Sequence, residues 1–64
     1  MSHREKILTA LKAGDTLTPM DALRRFGCFR LAARVNELRD EGLQIQSRIE
    51  KTEEGRRYAR YWLA

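Results

Sequence analysis

The stretch RRFGCFRLAARVNELRDEG, Arg24 to Gly42, decides how this chain folds. It is interrupted at FGCF, residues 26–29, and then resumes with apolar residues at helical spacing. Gly27 supplies the left-handed backbone that ends one helix and redirects the chain, because it has no Cβ to clash. Beyond it, Leu31, Val35 and Leu38 recur at i, i+4 and i+7, which is one stripe of an α-helix. The spacing predicts a helix over about residues 29–41, stopped by Gly42. Phe29, Ala33, Asn36, Glu37 and Asp40 fall roughly opposite the stripe, with Arg30 and Arg34 on its flank one turn apart. Cys28 reads as a small buried residue of the turn.

Upstream, two more start signals stand out. Ser2 and Glu5 have the S-x-x-E spacing of a capping box, followed by the apolar stripe Ile7, Leu8 and Leu11. A first helix is expected over about residues 3–13, closed by Gly14. Thr18-Pro19-Met20-Asp21 is the second signal: a capping hydroxyl, a proline suited to the first helical position, and an acid near the positive end of the helix dipole. It opens a helix over about residues 19–25, with Met20, Leu23 and Ala22 turned inward and Phe26 closing it.

Downstream of Gly42 the period changes to two. Leu43, Ile45 and Ile49 alternate with polar residues over about 43–50, KTEEG at 51–55 is a polar loop, and alternation resumes over about 56–63. Ala59, Tyr61 and Leu63 form one side of that second strand and Tyr58 and Trp62 share the other; if the first side faces the core the two aromatics are exposed, the alternative being that Trp62 folds back over the end of the core. Two strands alone are marginal in water, so the hairpin must lay its apolar side on the helices.

Composition bounds the function. A chain of 64 residues buries only about 60% of the surface its unfolded form exposes, too little to wall a deep catalytic pocket. One domain over residues 1–64 is expected, and no enzyme. The charge is +4, from 13 basic against 9 acidic residues, and ten of the basic residues are arginine. Arginine presents a planar fork of donors suited to phosphate and to guanine edges. The lone Cys28 cannot form an intramolecular disulfide, which favours a reducing, cytoplasmic location. No apolar run reaches the ~20 residues of a membrane span, and MSHREKIL lacks the apolar core of a signal peptide. His3 has no partner at ligand spacing, and no phosphate-binding glycine motif or nucleophile–base pair occurs, so no metal or cofactor is expected.

The segments LTPMDALRRFGCFRLAARVNELRDEGLQI and RYARYWL carry a family pattern. It consists of the threonine-proline start, the glycine-cysteine turn, R-L-A-A-R after it and L-R-x-x-G at the helix end. In these the chain resembles winged helix-turn-helix domains, most closely the short ones encoded by bacteriophages and prophages. The resemblance covers the chain from about Leu8 to Leu63. It implies an α+β fold of three helices and a C-terminal β-hairpin wing. It also implies binding to double-stranded DNA, with residues 29–41 as recognition helix and the hairpin as wing.

On that basis Arg30, Arg34 and Asn36 are the candidates to face bases or nearby phosphates. Arg48, Lys51, Arg56, Arg57 and Arg60 are the candidates to grip the backbone. A homodimer or a cooperative array is expected, because one such module buries little surface. The expected role is transcriptional regulation or an architectural part in recombination, within a bacterial host cell. The rival expectation is a phage-encoded inhibitor or adaptor that docks on a host protein. The acids of the third helix and the aromatics Tyr58 and Trp62 are its supports.

Overall fold

The computed structural model describes residues 2–64. Three helices, α1 (His3–Lys12), α2 (Pro19–Phe26) and α3 (Leu31–Asp40), precede two antiparallel strands, β1 (Ile45–Lys51) and β2 (Arg57–Leu63). This is the α+β arrangement of three helices and a terminal hairpin that the sequence predicts. The elements stop within two residues of the predicted limits.

The helices start where side-chain oxygens satisfy their first amides. The Ser2 hydroxyl accepts from the Glu5 amide at 3.2 Å. At α2 the capping is reciprocal: the Asp21 amide donates to the Thr18 hydroxyl at 3.2 Å, and the Thr18 amide donates to the Asp21 carboxylate at 3.1 Å. Caps of this kind contribute about 0.5–2 kcal/mol. Partial burial pushes the Asp21 carboxyl up, but the Thr18 amide, the Thr18 hydroxyl and Arg24 together outweigh it and hold the group below its ordinary value.

Helix α3 departs from the expected start. It begins at Leu31 rather than Phe29, with Arg30 as N-cap at φ −122° and ψ 57° and no side-chain capping bond. None of Cys28, Phe29 and Arg30 carries a capping oxygen, and Cys28 is drawn into the core at 2% exposure. Helical geometry is therefore taken up only once Leu31 is seated. The α2–α3 turn itself rests on Gly27, at φ +67°, whose amide donates to the Leu23 carbonyl at 2.9 Å. The far end of α3 closes differently. The Gly42 amide donates to the Arg39 carbonyl at 2.9 Å and the Leu43 amide to the Leu38 carbonyl at 3.2 Å, a Schellman arrangement. Leu43 is thereby used in the helix terminus and packs on the core, which is why β1 starts at Ile45 and not at residue 43.

The core consists of Ile7, Ala10 and Leu11 from α1, Leu17, Ala22 from α2, Cys28, Leu31, Val35 and Leu38 from α3, Ile45 and Tyr61. Ala59 and Leu63 are half-buried against it. Two expected inward residues are out. Met20 is 60% exposed, because α2 turns Ala22 fully inward with Leu23 and Phe26 at its sides. Ile49 is 64% exposed: it lies on β1, the strand away from the Leu17 bridge, and of this cross-strand pair Ala59 on β2 is the one that reaches the core.

Two contacts fix the hairpin to the helices. Leu17 and Tyr61 exchange both backbone hydrogen bonds at 2.8 Å, adding a single bridge to the free edge of β2. Arg39 of α3 donates to the Ile45 carbonyl from Nε at 2.9 Å and from Nη2 at 2.7 Å, and its guanidinium lies 5.9 Å from the centre of the Tyr61 ring.

Gly27→Ala tests the turn. Beyond the residue itself and its chain neighbours, no heavy atom lies within 4 Å of the position its Cβ would take, so the cost is that of left-handed backbone, about 1–2 kcal/mol. Urea unfolding followed by circular dichroism should show that loss, with a smaller one for Gly27→Asn, since asparagine tolerates this region better. An alanine variant as stable as the parent would mean that the turn does not need Gly27.

Candidate nucleic-acid interface

Leu31, Val35 and Leu38 hold one side of α3 in the core, which leaves Asn36, Glu37 and Asp40 in solvent. The segment 29–41 carries Arg30, Arg34 and Arg39 against Glu37, Asp40 and Glu41 and has no formal charge. Two of its three acids are paired, one within the segment and one from α1. Arg34 Nη2 lies 2.9 Å from Glu37, and Arg4 of α1 pairs with Glu41. Arg39 is committed to the Ile45 carbonyl. Arg34 is half-buried, and its Nε is buried without a hydrogen-bond partner among the described residues. Of the two arginines singled out at the start of this helix, Arg30 is the exposed one and makes no ion pair among the described residues. Arg30 and Arg34 line one shallow hollow of about 230 Å³, together with His3 and the turn residues Gly27 to Phe29.

The hairpin arginines divide in the same way. Register places Arg48 directly opposite Arg60, a like-charged cross-strand pair. Glu50 lies between them: Arg48 Nη2 is 2.7 Å from one of its oxygens and Arg60 Nε 2.9 Å from the other. Arg60 Nη1 also donates to the Thr16 hydroxyl at 2.9 Å. The Arg48 and then the Arg60 guanidinium lower the Glu50 pKa from 4.5 to about 2, and Glu50 in turn raises that of Arg60. Lys51, Arg56 and Arg57 are exposed at the loop end of the hairpin, with no ion pair among the described residues.

The loop end faces the start of α2 across an open cleft of about 640 Å³. Arg56, Arg57 and Arg60 line it from the hairpin and Arg24 from α2, against Asp21 and Glu54. Arg24 escaped the sequence reading. It sits one turn after Asp21 and pairs with it at 3.2 Å, so its i, i+3 spacing looks like ordinary helix-surface pairing. Nothing in the sequence shows that the hairpin folds back opposite it. Arg30, Arg34 and Asn36 lie outside this cleft, as do Arg48 and Lys51.

Tyr58 and Trp62 are half-buried rather than exposed. Each is flanked on its own sheet face, Tyr58 opposite Glu50 and beside Arg60, Trp62 opposite Gln46. Among the described residues no group of three or more His, Cys, Asp or Glu side chains is placed to hold a metal ion, and no helix is long and apolar enough to cross a membrane.

The sequence profile of the winged helix-turn-helix domain matches residues 2–64. The chain belongs to that family. No curated protein and no solved structure matches it significantly. A winged helix-turn-helix domain suggests DNA binding and is typically a non-enzymatic fold. In its terms the β1–β2 hairpin is the wing.

The Glu50 pairing is testable by titration. The folded pKa lies below the unfolded one, so the ion pairs add stability above about pH 4.5 that is lost as the pH falls through about 2. Carbon-detected NMR of the Glu50 carboxyl should give a midpoint near 2 in the parent and a clearly higher one in Arg48→Ala. A midpoint at the ordinary glutamate value in the parent would refute the bridged wing.

Proposed function

We propose that residues 1–64 act as one DNA-binding unit of the phage type, regulating transcription or shaping DNA for recombination in the cytoplasm of a bacterial host. The observation that carries this is the convergence of four arginines, from α2 and from the wing, on one open cleft. A phosphate backbone is the partner that matches a row of guanidinium forks separated by cleft width. In this arrangement α3 lies in the major groove, with Arg30 and Asn36 at the base edges. Arg34 remains paired with Glu37, so it serves by cancelling an acid that would otherwise face phosphate. Arg24, Arg56 and Arg57 take the backbone, with Lys51, Arg48 and Arg60 adding positive field along the wing.

One module of this kind buries roughly 600–1,000 Å² on DNA, so useful affinity calls for a homodimer or a cooperative array. Exposed Met20 and Ile49 favour a second occupant class, a host protein that this chain would inhibit or adapt. The half-burial of Tyr58 and Trp62 removes two of the side chains that such a contact was expected to use.

Salt separates the two. Fluorescence anisotropy with random-sequence duplex should show log affinity falling linearly with log salt, the slope rising by about 0.9 for each neutralised phosphate. Arg56→Ala and Arg57→Ala should each reduce that slope by about 0.9, whereas Arg48→Ala, whose charge is already spent on Glu50, should reduce it less. Failure of random and genomic duplex to bind at low salt would discard DNA binding in favour of the protein partner.

A further inference from the structure

Phe29 is the most exposed of the large apolar side chains, at 84% against 60% for Met20 and 64% for Ile49. Cys28 and Leu31 are both buried at 2% exposure, and the two residues between them stand exposed. The chain is pinned at both ends of a two-residue span, and Phe29 and Arg30 are pushed into solvent at the head of α3.

We infer that Phe29 is a specificity-determining residue that packs against the C5-methyl group of a thymine in the major groove. This rests on the DNA-binding function proposed above. The first residues of a recognition helix are the ones that reach base edges. The thymine methyl is the apolar group that the major groove presents, and phenylalanine is among the side chains that contact it. Arg30, exposed and without an ion pair among the described residues, lies next in the chain and supplies the polar contact, to a phosphate or to a neighbouring guanine. With α3 carrying no net charge and Arg34 and Arg39 committed within the fold, the sequence preference of this helix comes to rest on Phe29, Arg30 and Asn36.

The test uses the full chain and a duplex enriched from a random-sequence pool. Each thymine is replaced singly by deoxyuracil, which deletes only the methyl, and affinity is measured at fixed salt. At one position the parent should bind about fourfold more weakly, the value of one buried methyl group. Phe29→Ala should lose the response at that position alone and keep the parent's salt slope, while Phe29→Leu should keep part of it. Circular dichroism checks that both variants fold. A parent indifferent to every methyl, or a methyl response that survives in Phe29→Ala, overturns the inference while DNA binding stands. So does a sedimentation shift to a smaller species in Phe29→Ala, which would place the ring between copies of the chain. A pool that yields no retained duplex overturns DNA binding itself and the inference with it.

Discussion

A pair of antiparallel strands is marginally stable in water, and the sheet of the described residues is one such pair. What holds it is the environment of Tyr61. Its backbone exchanges both hydrogen bonds with Leu17, which lies in the link before α2. Its ring carries the Arg39 guanidinium, which is simultaneously bound to the carbonyl of Ile45, the first residue of β1. Three segments far apart in the chain are thus joined around one side chain. Because Arg39 belongs to α3, the same contact ties that helix to the wing. Any surface built from both elements depends on that tie before it depends on any individual arginine.

The charge distribution follows a second constraint. A net charge of +4 does not translate into a uniformly basic face. Arg34, Arg48 and Arg60 are matched with glutamates on their own elements or on the paired strand, and Arg4 and Arg25 with acids elsewhere in the chain. Such exposed pairs contribute little stability individually. They do remove cations from the set free to meet phosphate. Those without an ion pair among the described residues, Arg39 aside, are Lys6 and Lys12 on α1, Arg30 at the head of α3, and Lys51, Arg56 and Arg57 at the loop end of the wing.

Most element limits were legible in the sequence because they are local. Thr18, Pro19 and Asp21 start a helix by chemistry within one turn, and Gly27 and Gly42 end helices through a backbone conformation that few other residues adopt. The apolar stripe of α3 was equally plain. The start of α3 was not, because Phe29 fits the helical period while the burial of Cys28, a tertiary event, withholds it from the helix. Exposure of Met20 and Ile49 escaped for a related reason. Periodicity tells which face a residue is on, not how far the opposing layer extends. For the site, the sequence named the wing arginines but not Arg24, and could not tell a spent guanidinium from a free one. Partner choice among charges depends on the fold that brings them together.

The exposure of Ile49 also bears on mechanics. The two strands are anchored unequally: β2 reaches the core through Ala59, Tyr61 and Leu63 and is tied to Thr16 and Leu17, whereas β1 is seated on the core at its first residue, Ile45. The wing is therefore held along one of its strands, and the other, which carries Ile49, is fastened to the protein chiefly through its pairing with that strand.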